Sequence, residues 1–261
     1  MRARSEALGR IVTLETELTR PFLKGRDIKR YDIRSSNEIV IIPYRVEHGR
    51  SRLIEVSELR ERFPKTYAYL AENRSCLENR ESGRMKGPGW HGYVYPKNVE
   101  IMSSAKILVP DIAQHASFSL DETGQYAVVS GYAVTLTDAL RESSKYVLGL
   151  LNSKLLDFVL KRVSTTLRGG YFRYFTQFLG QLPIRTINFE DPEDVARHDR
   201  MVALVERMLD LHKKLAAATI PADKKLYQRQ IQATDAEIDA LVYELYGLTE
   251  EEIAIVEGKD E

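Results

Sequence analysis

Residues 191–215 read DPEDVARHDRMVALVERMLDLHKKL, and this stretch decides how the second part of the chain folds. Asp191 is placed as a helix N-cap, Pro192 as the first helical residue, and Glu193 and Asp194 fall in the first turn, where the helix dipole favours acids. Val202, Val205, Leu209 and Leu215 then fall near one helical face, which Leu204 and Met208 widen. AATIPADKK (217–225) breaks the pattern. Beyond it Ile231, Thr234, Ile238, Leu241 and Leu245 recur at alternating steps of three and four residues. Such spacing forms the seam of an antiparallel helical hairpin or short coiled coil. Gly247 reads as its C-cap, and Thr249 with Glu252 as a capping box opening a last short helix.

Working back from residue 190, the pattern changes. Short β-rich runs occur at 39–43, 106–109, 126–136 and 182–187. Helical patterns lie between them. In SSKYVLGLLNSKLLDFVLKR (143–162), Val147, Leu150, Leu151, Leu155, Phe158 and Val159 share a face. KTYAYLAENRSCLENR (65–80) is a weaker helix with Tyr67, Leu70 and Leu77 on one side. No repeat or low-complexity segment occurs. The expected fold is α+β, an irregular α/β body over 1–190 followed by the helical hairpin of 191–261.

The chain has 261 residues and 38 cations against 38 acids, but the balance is uneven along it. Residues 1–190 carry 29 Lys+Arg and 21 Asp+Glu, a net of +8, and residues 191–261 carry 9 and 17, a net of −8. All eight Phe, the single Trp and 11 of the 14 Tyr lie before residue 191. A basic, aromatic-rich body suggests nucleic acid. The acids of the tail read as its solvated helix faces. One cysteine, Cys76, excludes an intrachain disulfide framework and a Cys-rich zinc site. No apolar run reaches the roughly 18–20 residues of a membrane span, and the N-terminus lacks a signal-peptide core. These features predict a soluble, cytoplasmic protein with no membrane partner.

Catalytic motifs are missing. There is no P-loop and no Gly-x-Ser-x-Gly elbow. GPGWHG (87–92) neither follows a strand nor opens a helix, and reads as a turn. His48, His91, His115, His198 and His212 lack metal-ligand spacing, and the last two are expected on solvated faces of the tail helices. Pro110–Asp111 spells the start of a metal-dependent nuclease site, but no acid-x-Lys pair follows on a nearby strand. The Asn-Pro-Pro-Tyr loop and glycine-rich turn of an adenine methyltransferase are also missing. The chain by itself is read as a non-enzyme, with no cofactor of its own.

Three segments instead concentrate cations and aromatics. RPFLKGRDIKRYDIR (20–34) offers Arg20, Lys24, Arg26, Lys29, Arg30 and Arg34. RESGRMKGPGWHGYVYPKN (80–98) offers Arg80, Arg84, Lys86 and Lys97 around Trp90, Tyr93 and Tyr95. KRVSTTLRGGYFRYF (161–175) sets Lys161, Arg162, Arg168 and Arg173 beside Tyr171, Phe172, Tyr174 and Phe175, within an acid-free run from Phe158 to Phe189. Cations offset phosphate charge, the planar Arg fork reads guanine, aromatics stack or wedge, and glycines allow close approach. The DNA-contacting candidates are Lys24, Arg26, Arg30, Arg84, Lys86, Trp90, Arg168, Tyr171, Arg173 and Tyr174. Arg168 and Arg173 are the candidate base readers, Arg26 and Arg30 phosphate contacts, and Trp90 a clamp or stacking platform.

Eight pieces in order carry a resemblance: FLKGRDIKRY (22–31), FPKTYAYLAENRSCLENRE (63–81), WHGYVYPKN (90–98), KILVPDIA (106–113), FSLDETGQY (118–126), YVLGLLNSKLLDFVL (146–160), LGQLPI (179–184) and DAEIDALVYELYGLTEEEIAIVEG (235–258). Together the chain resembles the TaqI-like C-terminal specificity domain of type IIG restriction-modification enzymes and amino-group adenine DNA methyltransferases. The resemblance implies a target-recognition domain that binds double-stranded DNA and positions an adenine. It also implies a methyltransferase domain, in the parent chain or a partner subunit, that binds S-adenosylmethionine. The chain then reads as a C-terminal fragment or a separately encoded reader. An alternative is a protein-interaction module that assembles a restriction-modification complex without touching DNA.

Overall fold

The computed structural model describes residues 1–34 and 37–259. Ser35, Ser36 and the last two acids of the tail, Asp260 and Glu261, lie outside the described residues. The fold is α+β, with several small antiparallel sheets and a long C-terminal helical pair. Two compact units make it up. One comprises Met1–Leu23, Ser36–Ala105 and Glu122–Ala127; the other comprises Lys24–Ser35, Lys106–Asp121 and Val128–Glu261.

The first unit has two hairpins, Arg2–Ser5 with Arg10–Thr13 and Tyr44–Glu47 with Arg50–Leu53. The second hairpin turns through His48 and Gly49, both at positive φ (49° and 74°), the backbone of a primed turn that matches strand twist. Helices Val56–Arg62 and Pro64–Glu72 follow. Glu15 accepts from the Lys65 and Thr66 N–H groups at the start of the second helix, at 3.1 and 2.8 Å, satisfying donors the helix itself cannot pair. Leu18, Ile54, Leu59, Phe63, Leu70 and Trp90 form this unit's core.

In the second unit the central strand is Lys106–Pro110, with every residue buried. Ser119–Asp121 and Gly131–Val134 flank it, both antiparallel. The Lys106 ammonium meets Asp121 across one strand pair at 2.7 Å, so a buried charge has its counter-charge. A helical layer covers this sheet. The 143–162 run, read from sequence as one helix, is two: Ser144–Asn152 and Lys154–Val163. Ser153 leaves helical geometry (φ −68°, ψ 155°) and its hydroxyl caps the second helix by accepting from Leu156 N–H at 3.2 Å.

The tail forms as its sequence signals indicate. Helices Pro192–Ala217 and Pro221–Tyr246 make the hairpin; Asp191 caps the first, Gly247 ends the second at φ 64°, and Thr249 with Glu252 opens Glu250–Glu257. Residue 190 nevertheless does not divide the molecule. Met201, Val205, Met208, Ile238, Leu241 and Val242 share one core with Val109, Phe118, Leu148, Leu151 and Tyr174. Gly149 permits the contact: a Cβ there would fall 2.4 Å from Met201 Sδ and 3.0 Å from Val205 Cγ2.

Further expectations are revised. The acids of the tail are not only solvated faces. Asp194 pairs with Arg185, Asp235 with Arg30, Asp239 with Lys154 and Glu206 with Lys145, so the −8 of the tail partly answers the +8 of the body. His198 is buried rather than solvated, accepting from Ser143 N–H at 3.1 Å and lying against Tyr146 and Phe189. His212 is half-buried opposite Tyr31, and that burial lowers its pKa. The 182–187 run is not a strand. Pro183 lacks a donor, and the N–H groups of Arg185 and Ile187 go to Tyr246 Oη and Glu142 Oε1, at 3.1 and 2.8 Å.

Candidate nucleic-acid interface

The second unit holds a cleft of about 690 Å³. One wall is the beginning of the hairpin that follows Lys24. Gly25–Asp27 is a 3-10 turn, closed by the Lys24 N–H donating to Asp27 Oδ2 at 2.8 Å, and Ile28–Lys29 pairs with Asp32–Ile33. The turn projects Arg26, whose side chain is 74% exposed, and Lys29 follows it along the same wall.

The floor is the exit of the buried central strand. Asp111 N–H donates to Ser130 O at 3.1 Å, and Asp111 O accepts from Tyr174 N–H at 2.9 Å. Ser130 itself sits at φ 57°, a conformation a non-glycine residue adopts at a cost of about 1–3 kcal/mol, and such strain gathers at functional sites. Gly25 is held so closely against this floor that a side chain there would force the Ser130 backbone to shift.

The opposite wall is a three-stranded sheet, Ile112–Ala113, Tyr171–Arg173 and Thr166–Leu167 in spatial order. Its hairpin turns through Arg168, Gly169 and Gly170, with the glycines at φ 86° and 74°, where a side chain would be strained. Gln114 Nε2 donates to Gly169 O at 3.0 Å and fastens the turn. Ile112, Val129 and Tyr171 line the cleft while 45%, 43% and 40% exposed. Exposed apolar side chains gathered beside cations mark a binding surface.

This arrangement brings together Lys24, Arg26 and Tyr171, all lining the cleft, from segments about 145 residues apart in sequence. Arg168 is exposed on the adjoining hairpin turn. Other candidates are placed differently. The Arg30 guanidinium is taken up inside the unit, where it bonds to Asp235 and donates to Asn152 O from Nε and Nη2 at 3.2 and 2.6 Å. Burial works against its charge, but the bond to Asp235, together with the nearby Tyr31 and Asp239, outweighs that and raises the Arg30 pKa. Arg173 lies over the Phe175 ring at 5.0 Å, with its Nε buried and lacking a hydrogen-bond partner. Tyr174 is fully buried, its hydroxyl 3.2 Å from Asp157 Oδ1, and burial raises its pKa.

Arg84, Lys86 and Trp90 belong to the first unit. Arg84 and Lys86 are exposed, Arg84 over the Tyr95 ring at 5.1 Å. Trp90 is 2% exposed and packs in the core, so its indole is not presented for stacking. Arg80 fixes its loop by donating to the Trp90 and Gly92 carbonyls at 2.9 and 2.8 Å. His91 Nε2 lies 2.8 Å from Ile54 O, and burial lowers its pKa.

Asp111, Ile112, Gln114, His115 and Ser130 were not singled out from sequence as contact candidates. The available signal was KILVPDIAQH, an apolar run ending in exposed polar residues, as at the open end of a buried strand. Among the described residues no cluster of His, Cys, Asp or Glu could hold a metal, and no helix is long and apolar enough to cross a membrane.

Comparison with known proteins matches residues 20–184 to the model of the TaqI-like C-terminal specificity domain. The chain is 25% identical over 249 residues to the type II restriction enzyme and methyltransferase RM.Eco57I of Escherichia coli, covering 90% of this chain and 25% of that protein. It is 24% identical over 249 residues to the type II methyltransferase M.BstVI of Geobacillus stearothermophilus, covering 94% of this chain and 37% of that protein. The type II methyltransferase M.PaeR7I of Pseudomonas aeruginosa is 24% identical over 257 residues, covering 97% and 38%. The chain thus spans between a quarter and two fifths of the length of these relatives.

Proposed function

The chain belongs to the TaqI-like C-terminal specificity domain family, and from that premise we propose that it is the DNA target-recognition domain of a restriction-modification system. It binds duplex DNA through the cleft of its second unit and positions a target adenine for a methyltransferase domain in the parent protein or a partner subunit. S-adenosylmethionine binds that other domain, and this chain supplies recognition rather than catalysis. The observation that carries the reading is the convergence of Lys24, Arg26 and Lys29 with Tyr171, Ile112 and Val129 on one cleft. Cations there offset phosphates and fix register, while apolar and amide groups reach the base edges. The relatives named above are methyltransferases, one also a restriction enzyme, which supports placing the chain in such a system.

Selection from a pool of randomised duplexes tests the reading. The 261-residue chain is expected to enrich one defined sequence. Recovery of no sequence above the unbound pool, while the chain still forms a complex with a methyltransferase domain, would replace recognition with an assembly role.

A further inference from the structure

We propose that Asp111 is a specificity-determining residue that accepts a hydrogen bond from the exocyclic amino group of a cytosine or an adenine in the major groove. The inference rests on the reading of the cleft as a DNA surface and names what one position of it reads. Asp111 is half-buried at the floor of the cleft that Lys24, Arg26 and Lys29 also line. Its backbone is pinned on both sides, by Ser130 O and by Tyr174 N–H, so the point from which its side chain leaves the chain is set by the fold. The carboxylate nonetheless makes no hydrogen bond or ion pair with any described residue. Gly25 lets the cationic turn come close to this carboxylate, since a Cβ there would fall 3.3 Å from Asp111 Oδ1.

A carboxylate has no use for phosphates. On a phosphate-binding face it repels the backbone, so its presence needs a donor to face. In the major groove the only base donors are the amino groups at cytosine N4 and adenine N6; guanine and thymine turn acceptors to the same places. An ionised Asp therefore favours the first pair and rejects the second, which would leave two acceptors opposed. The neighbouring Ile112, exposed and apolar, shields that contact from water on one side.

The test uses the 261-residue chain and the duplex it selects from a randomised pool. At each cytosine or adenine of that duplex the base is replaced by its analogue lacking the amino group, 2-pyrimidinone or purine. One position is expected to lose roughly tenfold to a hundredfold in affinity, in line with the ~1–3 kcal/mol of a good base contact. Asp111→Asn, whose amide both donates and accepts, is expected to bind all four bases at that position within a few fold. It should also bind unrelated duplexes more tightly, because one negative charge has left the face. Lys29→Ala should weaken binding to every sequence and leave preference intact. Undiminished binding of the wild-type chain to every analogue duplex would overturn the proposal without requiring any variant to fold. So would an Asp111→Asn chain that keeps the wild-type preference at every position. Failure of the wild-type chain to bind any duplex would instead remove the DNA reading itself, and this inference with it.

Discussion

Gly25 and Ser130 are in direct backbone contact: a Cβ built on Gly25 would lie 2.4 Å from the Ser130 carbonyl oxygen. The same carbonyl already accepts the Asp111 N–H, so it cannot swing aside without breaking that bond. The turn carrying Lys24 and Arg26 is thereby fixed to the strand exit that carries Asp111. Gly25→Ala is expected to destabilise the chain by about 1–3 kcal/mol, the usual cost of overpacking. It should weaken DNA binding as well, because the cationic wall moves. An unchanged denaturant midpoint together with unchanged DNA affinity would show that this contact neither packs the unit nor shapes the cleft.

Leu241 lies 2% exposed in the core shared by the tail helices and the strand layer. Leu241→Ala is expected to cost about 2–5 kcal/mol, read from the denaturant midpoint at constant slope. Because the hairpin packs into the second unit rather than forming its own domain, the loss should appear within a single transition of that unit.

Arg26 and Arg30 are four residues apart and should behave as different kinds of residue. Arg26→Ala is expected to lower the salt slope of DNA binding by about one and to leave the melting temperature unchanged. Arg30→Ala strands the Asp235 carboxylate and frees the Asn152 carbonyl, so it should lower the melting temperature instead. Thermal scans and salt titrations of the two variants, side by side, decide the assignment.

How much of this was legible in the sequence follows from the range of each interaction. The helical hairpin was legible because its signals are local: Asp191 caps its own helix, Thr249 and Glu252 lie three residues apart, and Gly247 takes the left-handed turn by itself. The cleft was legible only through two of the three rich segments, 20–34 and 161–175, because 80–98 belongs to the first unit. What joins Gly25 to Ser130 and Asp111 spans about a hundred residues and leaves no periodic trace. Composition also cannot say which cations and aromatics are spent inside. Arg30 and Trp90 match exposed candidates in type, yet one neutralises a buried-side carboxylate and the other fills a core. The solvated reading of His198 failed for a related reason, since a polar residue looks exposed until its partners, here Ser143 N–H and the Tyr146 and Phe189 rings, are known.

Arg185 and Asp194 give the expected acid response. Arg185 donates to Asp194 from Nη1 and Nη2 at 2.9 and 2.8 Å, and the Asn188 N–H adds a third bond at 2.8 Å. The Arg185 hydrogen bond holds the Asp194 carboxyl below the usual Asp range, although desolvation opposes it. A depressed folded-state pKa stabilises the protein above the unfolded value of about 3.9 and is lost as pH falls through the folded value. Stability should therefore fall below about pH 4, and Asp194→Asn should flatten that limb. An acid limb of unchanged steepness in the variant would assign the loss to other carboxylates.

The central claim is that the cationic cleft of the second unit binds DNA. The most direct measurement is the affinity of the 261-residue chain for duplex DNA across a salt series, with Arg26→Ala/Lys29→Ala run in parallel. The account predicts that log K falls linearly with log salt for the wild-type chain, and that the double variant binds more weakly with a slope smaller by about two. No binding at low salt, or the same affinity and slope in the double variant, would contradict it.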